Sequence, residues 1–545
     1  MKNKNLTKKW IFNRTRPFIP KIVLISALNI VAAVTYILLA KASQLIINNA
    51  DTTQNALITG GIALLALIII YIAVEAAISL ISVSVSSKMN ISLRNHMFTS
   101  LMKKKYVDIS EYHSGDLLNR FTSDTDQIVN GTVVLIPSIV SMLTKIVAGI
   151  AALCIENYFF AISVLVIGFL FPLVGRLLSR SYKSLHKDVQ QSEGVTRSFL
   201  QESFANIVVI KSFSGETPFR IKLNEYMANN HRFKIKRNIL AVTISILLYL
   251  FFNLCYYGVL VWGAGQIASG KMLIGTLVYF LQLVSILRAP LQNISGIMPR
   301  YYSTVASAER LIELENLKNE NFVDNANKKL NFQKIVANNL TFAYTNEIVL
   351  RDNNFTIEQG NITAITGRSG SGKSTLFKLL LGLFPATAGG ISFDGITPID
   401  ETTRQMFAYV PQGNMIISGT LRDNITLCDN SVNDEKIEKA AKAAVIYDFI
   451  NTLPDRFNTV ISERGEGLSE GQVQRIAIAR ALMFDAPIIL LDEATSALDE
   501  ETETQLLKNL KEFTDKTIIF ITHRNTSLSV CDKILHLSNG TFNQK

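Results

Sequence analysis

The segment Gly367-Arg368-Ser369-Gly370-Ser371-Gly372-Lys373-Ser374-Thr375 follows a short apolar run, Ile362–Thr366, and leads into the helical pattern Leu376–Leu383. This is the spacing GxxxxGK[ST]. Its glycines let backbone N–H groups curl around phosphate oxygens, and the start of the following helix adds partial positive charge. Lys373 is placed to neutralise β- and γ-phosphates, and the Ser374 hydroxyl to ligate Mg²⁺. An incidental Gly/Ser turn would not have a strand before it and a helix after it. A second apolar run, Ile488–Leu491, ends in Asp492-Glu493. Asp492 suits the hydration shell of Mg²⁺, and Glu493 suits a general base that polarises an attacking water. A third run, Thr517–Thr522, delivers His523. A histidine there reads as structural, or as a γ-phosphate contact that helps orient Glu493. Three strand ends meeting at one nucleotide favour the contact. Leu468-Ser469-Glu470-Gly471-Gln472 opens a helix predicted over Val473–Met483. Ser469 and the nearby backbone N–H groups read either as an anion site or as a plain N-cap.

The elements behind these residues divide the 545-residue chain in two. Residues 1–320 carry a net charge of +15 and residues 321–545 a net of −5. The basic part is also the apolar part. Long apolar stretches run over Ile22–Leu39, Ala56–Val85, Val133–Ile155, Tyr158–Leu178, Ile239–Trp262 and Met272–Leu287. A membrane helix needs about 20 apolar residues, so six crossings fit, the last only if it continues past Leu287. Ala56–Val85 is long enough to continue beyond the bilayer as a helix. Ala40-Lys41-Ala42 resembles a signal-cleavage site, but the basic leader and apolar run before it are too long for a signal peptide. The segments 1–21, 86–132 and 179–237 hold 24 Lys+Arg, and the short loops on the other side hold only Lys271. That asymmetry puts both termini and the two long loops in the cytoplasm. Each long loop can fold as two antiparallel legs reaching about 30 Å below the membrane. Lys8-Lys9-Trp10-Ile11-Phe12 reads as a short interfacial helix or as a basic tail.

Composition excludes several classes. With 48% apolar residues the chain is not disordered, and 29 Gly and 12 Pro rule out a low-complexity or collagen-like chain. Cys154, Cys255, Cys428 and Cys531 lie far apart with no CxxC pair, which excludes a disulfide framework and gives no zinc or redox motif. The basic balance suggests nucleic acid until the six spans explain it; most of it then sits in segments facing the cytoplasm and anionic lipid. The expected organisation is a membrane α-helical domain over residues 1–314, a polar linker over 315–333, and a C-terminal α/β P-loop ATPase domain over 334–545. The last is read from β-branched runs alternating with helices, the pattern of a largely parallel sheet.

Taken together, the phosphate loop, Asp492-Glu493 and Leu468–Gln472 resemble the motif set of ATP-binding-cassette (ABC) ATPases. With six spans ahead of one such domain, the whole chain is similar to an ABC exporter half-transporter. The resemblance implies that two copies, or this chain and a paralogous half-transporter, sandwich two ATP molecules. Each ATP is then held by one subunit's phosphate loop and by Ser469, Gly471 and Gln472 of the other. It further implies Tyr344 as the adenine-stacking aromatic, although Tyr344 also reads as a strand core residue. Gln412, in Val410-Pro411-Gln412, matches the glutamine that contacts Mg²⁺ and senses the membrane domain. Ser496 through Asp499 matches the loop crossing the dimer interface, and His523 the switch histidine. Tyr112–Leu117 with Arg120 and Asp124 resembles the first exporter loop motif, and Glu202 through Phe213 with Glu216 resembles the second.

One residue departs from the family pattern. Glu470 stands where the signature has Gly, and a carboxylate beside a γ-phosphate would repel it. Because Lys373, Asp492, Glu493 and His523 are all present, the preferred expectation is that the Glu470 side chain points away. The implied function is ATP-driven export of an amphipathic or hydrophobic substrate, whether drug, lipid or peptide, with ATP and Mg²⁺ as cofactors and lipid as a partner. An exporter-shaped importer and an ATP-gated membrane regulator are the alternatives. Glu75 and Lys145, inside predicted spans, read either as cavity lining or as a mutual pair. No peptidase-like segment precedes the first span, which argues against processing of leader peptides.

Overall fold

The structure, a computed structural model, describes residues 2–49, 54–157, 184–185, 187–321, 330–345, 347–413, 416–462, 465 and 467–544. The expected span Tyr158–Leu178 lies outside these residues. The chain forms two compact units. One is Met1–Ser100 with Ser114–Asn316, the other Leu101–His113 with Leu317–Lys545.

The first unit is helical. Lys2–Thr15 is a helix longer than the expected Lys8–Phe12 segment, and a single turn, Arg16–Phe18, separates it from the helix Ile19–Asn48. Pro17 and Pro20 sit at the starts of these two elements, where a missing N–H costs nothing. Gln54–Met102 is one helix of 49 residues, about 74 Å at 1.5 Å per residue, more than twice a hydrocarbon core of about 30 Å. The expected continuation beyond the bilayer is therefore present. Leu135–Glu156 and Glu216–Ala268 supply two further apolar helices. Among the described residues, four helical stretches are long and apolar enough to cross a membrane. A fifth apolar stretch, Ile274–Pro290, is shorter, but its helix runs on to Glu315 through Pro290 and Pro299. That continuation is what the last predicted span required.

The helices Ile19–Asn48, Leu135–Glu156 and the one from Ile274 to Glu315 share, with Val259 of Glu216–Ala268, a buried core that includes Ile37, Ala40, Leu153, Tyr279, Leu283 and Leu287. The ion pair Lys41–Glu156 and a hydrogen bond from Gln44 Nε2 to Thr276 Oγ1 (3.1 Å) join the same three helices at one end. At the other end lie Arg120 and Asp124 of the first loop motif, both buried. Asp124 accepts from Ser307 Oγ (2.9 Å) and Arg310 Nε (2.7 Å), and Arg120 donates to the Arg310 carbonyl (2.9 Å) and Glu313 (3.1 Å). The motif thus fastens onto the last helix. Glu75 is exposed and Lys145 half-buried, and no ion pair joins them among the described residues.

The second unit carries two main sheets. Six strands run in the order Thr541–Gln544, Lys533–Ser538, Ile362–Gly367, Thr517–Ile521, Ile488–Asp492 and Phe407–Val410, all parallel except the first. The central strands are continuous apolar runs because apolar side chains cover both their faces. Ile488–Asp492 and Thr517–Ile521 are buried throughout. The expected parallel sheet is this one. A separate antiparallel sheet, built from Glu347–Glu358, Lys334–Tyr344, Ala388–Phe393 and Thr397–Pro398, was not anticipated.

Candidate active site

The strand register decides what meets. Ile365 pairs with Ile521, Ile521 with Asp492, and Leu491 with Val410. Four strand ends therefore stand side by side and deliver the phosphate loop, His523, Asp492-Glu493 and Gln412. Sequence reasoning placed three of these ends by pattern, and Gln412 came only from resemblance.

Within the phosphate loop two glycines are obligatory. A Cβ on Gly367, at φ +147°, would lie 2.5 Å from the Leu537 carbonyl oxygen. One on Gly372, at φ +105°, would lie 2.4 Å from Val349. The helix Lys373–Leu380 follows, starting and ending three residues earlier than the pattern Leu376–Leu383 suggested. Lys373 is buried, and its Nζ donates to the carbonyls of Gly367 (2.8 Å) and Arg368 (2.9 Å). Burial lowers the Lys373 pKa, and the charges of Glu493 and Asp492 oppose that shift. Arg368, Ser369 and Gly370 face solvent at the tip, and the buried Ser371 Oγ has no hydrogen-bond partner. Tyr344 is half-buried, with its hydroxyl 3.5 Å from Thr375 Oγ1.

Asp492 is 2% exposed. One carboxylate oxygen accepts from the Tyr409 hydroxyl (3.3 Å), and the other has no partner. Burial raises its pKa, hydrogen bonds from Ser374 and Tyr409 pull it back, and the Glu493 charge adds to the rise. The unpaired, buried oxygen of the Asp492 carboxylate, with the Ser374 hydroxyl bonded to the same carboxylate, offers the oxygen donors that suit Mg²⁺. Glu493 has a left-handed backbone, φ +51°, fixed by its N–H to the Ile521 carbonyl (3.0 Å). This is uncommon for a residue with a Cβ and turns the chain sharply at the strand end. Its Oε2 accepts from Gln412 Nε2 at 2.7 Å. His523 is exposed at the end of its strand and makes no hydrogen bond to Glu493 among the described residues. Among the described residues the side-chain hydrogen bond to Glu493 comes from Gln412.

The signature segment forms an N-cap. Ser469 Oγ accepts from the Gln472 N–H (3.2 Å), and Gln472 Oε1 accepts from the Ser469 N–H (2.8 Å), a capping box on the helix Glu470–Met483. Glu470 is exposed in the first turn of that helix. A Cβ on Gly471 would stand 2.9 Å from the Ala497 carbonyl oxygen. Gln474, one turn further on, donates to Ser496 Oγ (2.9 Å) and accepts from the Ala497 N–H (3.1 Å), tying the Ser496–Asp499 loop to the signature helix. Asp499 caps the helix Glu500–Lys511 by accepting from the Thr502 N–H (2.9 Å). Arg524 completes the loop by donating to the carbonyls of Ser496 (2.7 Å) and Leu498 (2.8 Å) and to Glu503 (2.8 Å).

Sequence reasoning missed Gln474, Glu503, Arg524 and Tyr409. Glu503 had a visible signal. It shares the spacing of Leu506, Leu507 and Leu510, which puts a carboxylate on the buried face of its helix.

Residues 21–291 match the family described as ABC transporter transmembrane region, and residues 350–496 the family described as ABC transporter. The chain belongs to the ABC transporter family. It is 30% identical over 510 residues to the Lactococcin-G-processing and transport ATP-binding protein LagD of Lactococcus lactis, covering 91% of this chain and 71% of the relative. It is 30% identical over 476 residues to the ATP-dependent lipid A-core flippase of Haemophilus influenzae, covering 85% and 80%. In fold it resembles a bacterial Atm1-family ABC exporter with ATP bound, with a TM-score of 0.80 at 23% identity over 97% of this chain and 95% of the other. This ABC transporter is an ATP-hydrolysing exporter, with its membrane helices and its nucleotide-binding domain fused in one polypeptide. Exporter half-transporters of this kind function as dimers.

Proposed function

We propose that two copies of the chain close on two ATP molecules, and that closure drives export of an amphipathic or hydrophobic molecule by alternating access. The convergence of four strand ends, with the Gln412–Glu493 hydrogen bond at its centre, carries this reading. Lys373, freed from the Gly367 and Arg368 carbonyls, binds the β- and γ-phosphates that the backbone N–H groups of Gly367 to Thr375 surround. Tyr344 stacks on the base. Ser374, Gln412 and Asp492 would hold Mg²⁺, which would supply charge neutralisation at the β- and γ-phosphates. Glu493 accepts the proton of the attacking water, and Gln412 keeps its carboxylate oriented until the substrate arrives. His523, exposed at the neighbouring strand end, contacts the γ-phosphate.

The second copy supplies Ser469, Gly471 and Gln472 from across the interface. For this the Ser469–Gln472 capping box offers a helix start already ordered by its own side chains. Ser496 and Asp499 line the same interface, and Gln474 and Arg524 hold their loop. The Lys/Arg excess in the long loops and at the N-terminus supports a topology with both termini in the cytoplasm. Two relatives, named for lactococcin-G processing and transport and for lipid A-core flipping, support an amphipathic cargo, peptide or lipid.

The test is steady-state ATPase of the purified full-length protein with Glu493→Gln, alongside nucleotide binding. Turnover is expected to collapse while ATP affinity is retained. Near-wild-type turnover would sink the assignment.

A further inference from the structure

Phe384 lies in the loop between the phosphate-loop helix and the strand Ala388–Phe393. Its ring is shared between two parts of the chain. On one side it meets Tyr344 edge to face, centroids 5.4 Å apart at 82°. On the other it meets Tyr106 in the same way, 5.7 Å at 79°. Phe342 closes a triangle, 4.8 Å from Tyr344 and 5.8 Å from Phe384, both near perpendicular. Lys378 Nζ stands 5.9 Å from the rings of both Tyr344 and Phe384. Phe342 is buried, whereas Tyr344 and Phe384 are half-buried at the edge of the core.

Tyr106 belongs to Leu101–His113, the piece of the first loop that is part of the ATPase unit. That piece is bonded in place. The Lys105 N–H donates to the Lys318 carbonyl (2.9 Å), the Glu320 N–H to the Lys103 carbonyl (2.8 Å), and Lys105 pairs with Glu401 (3.2 Å). The long helix Gln54–Met102 ends four residues before Tyr106.

We propose that Phe384 is a positioning residue for Tyr344, and that through its ring the docking of Tyr106 and the stacking of a nucleobase on Tyr344 favour one another. The proposal rests on the reading of Tyr344 as the base platform. Two perpendicular rings fix the plane of Tyr344. When Tyr106 withdraws, Phe384 loses one of its edge contacts and Tyr344 loses part of its support. Coupling is reciprocal, so a base stacked on Tyr344 holds Tyr106 in place. One such aromatic contact corresponds to about a two- to tenfold change in an equilibrium constant.

The experiment is steady-state ATPase of the full-length protein in proteoliposomes, with KM and kcat determined separately. Phe384→Leu is expected to raise KM for ATP about threefold to tenfold with kcat within about twofold. Phe384→Tyr, which keeps the ring, stays near wild type. Tyr106→Leu raises KM by about twofold to fivefold, and the double variant Tyr106→Leu/Phe384→Leu goes no higher than Phe384→Leu alone, because both act through one ring. An unchanged KM in Phe384→Leu, a loss confined to kcat, or a double variant whose effects multiply would overturn the proposal. Tyr344→Leu separates the two readings. If it leaves KM unchanged, the base platform itself fails. If it raises KM where Phe384→Leu does not, only the ring coupling fails. Should Phe384→Leu not assemble, Tyr106→Leu decides alone, since Tyr106 is 40% exposed and outside the core.

Discussion

The two units spend apolar residues in opposite ways. In the ATPase unit the strands Ile488–Asp492 and Thr517–Ile521 are buried at every position. In the helical unit, the most apolar window of Leu57–Met102 has none of its residues buried within the chain. Equal hydrophobicity thus serves two solvents: one interior is the protein's own, the other is lipid. Charge is also placed differently. The ATPase unit buries Lys373, Asp492 and Glu503 around its site, while the helical unit buries Arg120 and Asp124 where its first loop motif fastens onto the last helix and leaves the Lys41–Glu156 pair part-exposed at helix ends. Chemistry should therefore break at buried groups of the first kind, and helix-end pairs should matter mostly for order.

The largest effect is expected at Glu493. Glu493→Gln should lower ATPase turnover by about 10²- to 10⁴-fold, the range for losing a general base, with melting temperature little changed. Second comes Glu503, 1% exposed and bonded to Arg524, Thr526 and Ser527. Glu503→Leu leaves Arg524 without its carboxylate and should destabilise the ATPase unit by about 2–3 kcal/mol, read as an earlier melting transition. The partial exposure of Arg524 keeps this below the figure for a fully buried pair.

The third prediction concerns acid. Burial alone would raise the Glu503 pKa, but hydrogen bonds from Ser527, Arg524 and Thr526 outweigh it and hold the pKa below the usual glutamate value. A lowered folded-state pKa gives stability that is complete above the unfolded value of about 4.3 and is lost as pH falls through the folded one. Glu503→Gln should therefore flatten the acid limb of the melting-temperature profile; an unchanged limb would refute the account. Fourth, Lys41→Gln or Glu156→Gln should shift helical-unit melting by less than about 1 kcal/mol, because the pair is part-exposed. A larger loss would erase the contrast between the units. The smallest effect is expected at the exposed Glu470: Glu470→Gly should change turnover by no more than about twofold, and a many-fold rise would show that its carboxylate opposes the γ-phosphate.

Much of this was legible because it is local. The phosphate loop, the buried strands and the apolar helices each announce themselves within a few residues, and Asp492-Glu493 and His523 fall at strand ends that pattern alone can find. The helix behind the signature starts at Glu470 rather than Val473, because Ser469 caps it with Gln472. Contacts between distant residues were not legible. Gln474 reaching Ser496, Arg524 reaching Leu498, and Tyr409 reaching Asp492 depend on strand order, which no single window contains. The same holds for the hydrogen bond from Gln412 to the Glu493 carboxylate.

The assignment of Leu101–His113 to the ATPase unit has a practical consequence for anyone dissecting the protein. An expression fragment begun at Leu317 would contain every nucleotide-site residue and still be an incomplete fold. It would leave Glu401 without Lys105, the Lys318 carbonyl without its donor, and the face of Phe384 that Tyr106 covers open to water. Such a fragment is expected to be less soluble and to bind ATP more weakly than the same residues in the intact chain, and adding a peptide of residues 101–113 in trans should recover part of the difference.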